Sequence, residues 1–352
     1  MKSCSGILLF LIFISCQSVE NKESIVLDLN DTEGTLEYSS FVDSVSYITL
    51  RLDENMHIGK IERIYQRGEF YYVWGSHRTG IYIFDGKGNL YSHIDAYGEG
   101  PEHFRDISSF SVVSSTGDVC ILDNASKKIF FYGMDGSFMH NEACPYWSVD
   151  LFVPDMEHKI FISPFYAGED NPKGIWVSDN KNMPLKHLID DVTTEHMFYY
   201  FPMTYNMSNS CIYYYDRNWN YFSAISEKDI DVLYQFELKQ KIPFSAIKDI
   251  MKDPTNLNGC AVCERFAYSK SKVLMLFCRF NYVKNGDERT YVWAMVDNKS
   301  KEVCLANELN NDLDTVLINN KELFYINDST WARILDEDPT NYDVKIQLMH
   351  LK

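Results

Sequence analysis

Strand-length apolar runs recur along the chain, each bounded by Gly, Asp, Asn or Ser. Examples are Phe70–Trp74 (FYYVW), Ile81–Phe84 (IYIF), Val119–Leu122 (VCIL) and Ile129–Tyr132 (IFFY). Short runs with turn residues at both ends are the signature of strands joined by tight turns. Helical periodicity is nearly absent. The exception is Pro243–Met251, where Pro243 suits a first helical turn and Phe244, Ile247, Ile250 and Met251 share one face, so a short helix is expected there. The pattern predicts an all-β chain.

Two segments superimpose with a shift of 48 residues: IYIFDGKGNLYSHI (81–94) and IFFYGMDGSFMHNE (129–142). Ile81 meets Ile129, Gly88 meets Gly136 and Leu90 meets Phe138. Each reads as strand, glycine turn, strand. A further hairpin precedes each one, Ile61–Trp74 turning at Arg67-Gly68 and Phe110–Leu122 turning at Thr116-Gly117. Fainter copies follow at Ile160–Ile189, Ile212–Leu238, Val273–Leu305 and Leu317–Leu351. Four strands in a period of about 45–50 residues describe a propeller blade. The expected architecture is therefore a six-bladed β-propeller of four-stranded antiparallel blades. An N-terminal strand should close the last blade, and Val45–Leu50 (VSYITL) is the segment placed to do so. A two-sheet sandwich with a second domain offers no reason for the repeat.

The amino terminus changes the picture of where the chain works. MKSCSGILLFLIFISC carries Lys2, a short apolar run from Gly6 to Ile14, and Ser15 before Cys16. The run is too short to span a bilayer, which takes roughly 20 residues, and reads as an export signal. Phe13-Ile14-Ser15-Cys16 resembles a bacterial lipobox, in which Cys16 is acylated and becomes the mature terminus; an ordinary secretory signal with an incidental Cys is the other reading. Residues 1–15 are thus expected to be signal peptide, 16–24 a polar tether and 25–352 the propeller. The expected location is the cell envelope, at the outer membrane, with the lipid anchor holding the protein there.

The 352 residues include 33 Lys+Arg against 50 Asp+Glu, a formal charge of -17. No basic cluster relieves this, so nucleic acid is excluded as an expected partner. Seven cysteines lie beyond Cys4 and Cys16: Cys120, Cys144, Cys211, Cys260, Cys263, Cys278 and Cys304. Their irregular, mostly apolar settings point to core thiols over a disulfide framework, although one or two bridges stay open. Cys260-Ala-Val-Cys263 lacks the second pair or nearby His that would complete a zinc site. Gly80–Lys87 has five residues between its glycines and an apolar interior, so it is not a phosphate loop. No metal, cofactor or catalytic residue is expected.

Between the first two repeats lies YGEGPEHFRDI (Tyr97–Ile107), after FDGKGNLYSHI. This resembles the six-bladed, NHL-like β-propeller lipoproteins of Bacteroides and relatives, where a blade ending is followed by Gly-x-Gly-Pro-Gly-Glu-Phe/Tyr and an Ile. Gly98, Gly100, Pro101, Phe104 and Ile107 fall on that pattern, while Glu102 and His103 depart from it. FVDSVSYITL (41–50) and ILDNASKKIFFYGMDGSF (121–138) are similar too. The resemblance implies the fold and an envelope location, and no activity.

Two readings stand for Tyr97–Ile107. As an interblade turn, its glycines would supply positive φ and Pro101 would stiffen the crossing; alternatively Tyr97, Glu99, Glu102, His103 and Arg105 line a ligand pocket. Aromatic clusters at 198–201, 213–215 and 219–222 divide the same way between blade packing and recognition. Tyr199, Tyr200, Tyr214, Arg217, Trp219 and Tyr221 are the candidate ligand-binding residues, because aromatic faces beside polar groups suit sugars or peptides. The expected function is a non-catalytic binding or scaffolding module for a glycan, peptide or envelope protein. The rival is a polysaccharide-acting hydrolase or lyase with carboxylates near the central channel.

Overall fold

The computed structural model describes residues 24–32, 34–76, 78–154, 158–163, 169–189, 204–208, 211–216, 220–243, 252–283, 286–316, 322–335 and 343–352. Three strands lead in: β1 (Ser24–Leu27), β2 (Thr35–Glu37) and β3 (Val42–Leu50). Blade 1 is β4 (Ile61–Arg67), β5 (Phe70–Gly75), β6 (Ile81–Phe84) and β7 (Leu90–Ile94). Blade 2 is β8 (Ser109–Val112), β9 (Val119–Asp123), β10 (Lys128–Tyr132) and β11 (Phe138–Ala143). Blade 3 is β12 (Asp150–Phe152), β13 (Lys159–Ser163), β14 (Gly174–Ser178) and β15 (Pro184–Ile189). Blade 4 is β16 (Thr204–Met207), β17 (Ile212–Asp216), β18 (Tyr221–Ile225) and β19 (Ile230–Leu238). Blade 5 is β20 (Ala261–Tyr268), β21 (Lys272–Val283), β22 (Gly286–Asp297) and β23 (Val303–Ala306), followed by β24 (Glu308–Asn310). Blade 6 is β25 (Phe324–Asn327), β26 (Thr330–Ile334), β27 (Val344–Leu351) and, as its outer strand, β3.

The six sheets form a ring because each is apolar on both faces. Along β6, Ile81 and Ile83 enter the layer between blades 1 and 2, whereas Tyr82 and Phe84 enter the layer between blades 6 and 1. In β9, Ile121 packs toward blade 1 while Cys120 and Leu122 pack toward blade 3. Alternation between two buried layers is why these strands read as nearly continuous apolar runs. First strands of neighbouring blades touch around the axis, β8 against β12, β16 against β20 and β25 against β4. We call upper the face at which each first strand begins. Interblade loops and the turns between second and third strands lie there; the other turns lie on the lower face.

Closure is made by more than Val45–Leu50. The whole of β3 pairs antiparallel with β27, from Leu50 opposite Val344 to Val42 opposite Leu351, and buries Ile48 and Leu50 between blades 6 and 1. Upstream, β1 lies parallel to β19 as a fifth strand of blade 4, and β2 lies parallel to β24. Arg279 of blade 5 donates to the Leu29 carbonyl (3.3 Å) and Asn30 Oδ1 (2.7 Å). Residues 24–50 therefore strap blades 4, 5 and 6 together, and Ser24, expected in the tether, is already strand.

The first two blades match the sequence reading strand for strand, with Gly88 and Gly136 at positive φ (79° and 83°) in equivalent turns. Units 3, 4 and 5 begin one strand earlier than read, because β12, β16 and β20 were not recognised. β12 and β16 are three and four residues long and β20 is interrupted by Glu264-Arg265, so none carries a full alternating pattern. The helix expected at Pro243–Met251 lies, beyond Pro243, outside the described residues; among those described, helix is limited to the 3₁₀ turns Tyr38–Ser40 and Pro254–Leu257. All seven cysteines are free thiols, Cys120, Cys144, Cys263 and Cys278 buried, and burial pushes the Cys144 thiol up to about 11.

Candidate functional site

The loop from β7 to β8 is built around Phe104. Tyr97 and Phe104 bridge in parallel; Gly98 N–H donates to the Phe104 carbonyl and Phe104 N–H to the Ala96 carbonyl, both at 3.0 Å. The Phe104 ring is fully buried against Tyr97 (4.6 Å), Tyr132 (6.0 Å) and Phe130 (6.2 Å). Blade 2 grips the loop further, Tyr132 Oη donating to the Glu102 carbonyl (2.6 Å) and Asn141 Nδ2 to the Pro101 carbonyl (2.8 Å). Neither Gly98 nor Gly100 has a positive φ, which corrects the expected reason for them. The imidazole of His103 lies over both: a Cβ on Gly100 would sit 2.6 Å from Nδ1, and one on Gly98 3.2 Å from Cδ2.

Tyr97 is half-buried, with the Arg78 guanidinium 4.6 Å from its ring centroid, and burial pushes its phenol up to about 12. Arg78 also donates to the Arg105 carbonyl (2.9 Å). Arg105 and Glu99 pair at 3.5 Å in solvent, a contact worth little. Of more consequence is the Arg105 backbone N–H, which donates to buried Asp123 (2.8 Å). Asp123 also accepts from the N–H of Ala125 (2.9 Å) and the hydroxyl of Ser126 (2.6 Å). One carboxylate thus locks the interblade loop to the adjacent upper turn.

Behind that lock opens a cleft of about 500 Å³, lined by Asp106, Ser108, Asn124, Ala125, Trp147 and Val149. Its walls come from three upper-face connections of blades 1, 2 and 3, and they are fixed before any ligand arrives. Asn124 exchanges hydrogen bonds with the Ser148 backbone (2.7 and 3.3 Å), and Asn171 does the same with Trp147 (2.7 and 2.9 Å). Trp147 is half-buried and is the aromatic residue among the described lining residues.

The central channel is filled. Arg63, Tyr65 and Arg67 alternate along β4 and so point together toward the axis. Arg63 forms a two-pronged ion pair with fully buried Asp150 of blade 3, one prong at 2.9 Å, and Ser109 of blade 2 donates to the same carboxylate. Tyr65 donates to Met207 Sδ of blade 4 at 3.0 Å, and burial pushes its phenol up to about 12. Among the described residues, no three His, Cys, Asp or Glu side chains gather where a metal ion could be held.

The sequence-predicted residues divide. Tyr97, His103 and Arg105 are together on the loop bordering the cleft, with Gly98, Gly100, Pro101 and Phe104 as its scaffold. Tyr214 is not a surface ligand residue: it is buried in the layer between blades 3 and 4. Tyr221 is half-buried at the start of β18 in blade 4, opposite Asp216, away from the cleft. Tyr199, Tyr200, Arg217, Trp219 and Cys16 lie outside the described residues. Trp147, Asn124 and Asp106 were missed. Trp147 in CPYWS had a usable signal, a large aromatic between two repeats where a loop must surface; Arg63 and Asp150, 87 residues apart, had none.

Residues 24–349 match the sequence profile of a domain of unknown function, DUF4934. A crystal structure of a Bacteroides fragilis protein described provisionally as exported is similar, with a TM-score of 0.68, 13% identity and coverage of 90% of this chain and 99% of that one. So is a member of the DUF4221 family from Bacteroides vulgatus, with a TM-score of 0.56, 10% identity, and coverage of 89% and 97%. At these identities the likeness concerns the fold. No sequence among the curated proteins matches this one.

Proposed function

We propose, from the premise that this chain belongs to the DUF4934 family, that it is an exported, lipid-anchored propeller lipoprotein of the outer membrane that binds a partner without transforming it. The observation that carries this reading is the preformed upper-face cleft with Trp147 on its wall. A half-buried indole beside a carboxylate, a hydroxyl and an amide suits the face and edge of a sugar ring or a peptide side chain, so the partner is a glycan, a peptide or an envelope protein. Rigid walls favour binding because little ordering is needed when the ligand docks.

Against the hydrolase or lyase reading stands the chemistry of the two places where it would occur. Glycoside hydrolysis uses paired carboxylates, and Asp106 is the sole carboxylate among the described lining residues. At the axis, Asp150 is spent on Arg63 and Ser109, with Tyr65 and Met207 filling the space below. The anchoring part of the proposal rests on Lys2, the apolar run and Cys16.

The test is a glycan and peptidoglycan binding screen with the purified protein. Saturable binding without product is expected, and Trp147→Ala should weaken it at least tenfold, about 1.4 kcal/mol, with Tm unchanged. Binding indifferent to Trp147→Ala, or turnover abolished by Asp106→Asn, would overturn the proposal. Metabolic labelling with a fatty acid should mark the wild type and not Cys16→Ala.

A further inference from the structure

Two arginines occupy the ring axis, and among the described residues just one of them meets a carboxylate. The guanidinium carbons of Arg63 and Arg67 lie 5.8 and 5.5 Å from the centroid of the Tyr65 ring between them. Arg63, toward the upper face, is neutralised by Asp150. Arg67, toward the lower face, is only 8% exposed. Its acceptors are the carbonyl oxygens of Gln66 (2.9 Å) and, across the channel in blade 4, Ser208 (3.4 Å). Its Nε is buried with no hydrogen bond.

A guanidinium carries five N–H donors, so most of this one's capacity is unused. The lower-face carboxylate Asp328 does not take it up, accepting instead from the hydroxyls of Tyr213 (3.4 Å) and Tyr325. A buried cation without a counter-charge is costly, and burial draws the Arg67 guanidinium below its ordinary pKa. Around it stand polar groups from three blades: Gln66 of blade 1, Ser208 of blade 4, and Asn327 of blade 6, whose amide donates to Gln66 Oε1 at 2.9 Å.

We propose that the lower mouth of the channel is an oxyanion site, where Arg67 receives a carboxylate or phosphate group presented from the lower face. A planar guanidinium matches both oxyanions through paired hydrogen bonds, which a lone halide does not offer. The site is on the face opposite the Trp147 cleft and is independent of the binding function proposed there.

The purified protein is titrated calorimetrically with inorganic phosphate and, separately, acetate, at matched ionic strength in chloride. Saturable binding of at least one is expected, with a Tm rise of roughly 2 °C near saturation. Binding of phosphate alone points to a phosphorylated ligand, and binding of acetate alone to a carboxylate. Arg67→Gln should abolish both effects, Arg67→Lys should keep binding at several-fold lower affinity, and Arg105→Gln should change neither. Arg67→Lys preserves the charge, so the site stays testable if Arg67→Gln does not fold. No binding by the wild type, or equal binding by Arg67→Gln, overturns the proposal.

Discussion

One methyl group distinguishes the two kinds of glycine in this propeller. At Gly75 a Cβ would overlap the Ile58 carbonyl oxygen, and backbone cannot step aside. Gly75→Ala should therefore cost about 3 kcal/mol or more, read as a lowered denaturant midpoint with unchanged slope. At Gly100 the obstacle is the exposed His103 ring, 2.6 Å away. Gly100→Ala should cost about 1 kcal/mol or less, and His103→Ala in the same chain should remove most of that cost. A double-mutant cycle without coupling would show that His103 is not what excludes a side chain there.

At the scale of elements, blades 2 and 3 are joined by an ion pair, buried at its lysine end and half-buried at its glutamate, that the apolar patterning does not reveal. Lys159 on β13, 1% exposed, reaches Glu142 on β11 at 3.0 Å. Its ammonium lies 5.8 Å from the Phe131 ring, on which His140 stacks at 4.4 Å. Burial acts to raise the Glu142 pKa, but the Asn182 amide, Lys159 and His140 together hold it below the usual value. A depressed carboxylate stabilises the fold above its unfolded pKa of about 4.3 and loses that contribution as pH falls through the lower folded value. Thermal scans should accordingly show Glu142→Gln to be less stable than wild type at pH 7, with the gap closing below about pH 4. Lys159→Met should cost about 1–2 kcal/mol by removing one of the three groups that hold the carboxylate ionised, and adding Glu142→Gln should restore part of it.

For the whole molecule, the strap of residues 24–50 determines whether the ring is closed. Removing residues through 33 takes away β1 and leaves β3, so a folded ring with a Tm lower by several degrees is expected. Removing residues through 50 strips the outer strand of blade 6 and leaves β27, with Ile346 and Leu348, as an unpaired edge. That chain should lose cooperative unfolding and aggregate, observable by calorimetry and light scattering. Equal stability of the two truncations would mean that β3 does not close the ring.

Strand type, repeat length, blade number and the closing strand were legible in linear order, because each blade alternates its side chains between two buried layers and ends its hairpins on glycine turns. β12 and β16 were not, since three or four residues near the axis are too few to display a period. The loop carrying Tyr97, His103 and Arg105 was found because its glycines and proline cluster locally. The cleft beside it was not, because Asp106, Asn124 and Trp147 come from three connections and converge only when adjacent blades stack. Tyr214 and Tyr221 show the converse: both are aromatic residues in strands, and it is the ring that buries one in an interblade layer and leaves the other half open. Pairings such as Arg63 with Asp150, and the want of one for Arg67, arise from closure around an axis, which brings together side chains whose separation along the chain carries no information about their distance.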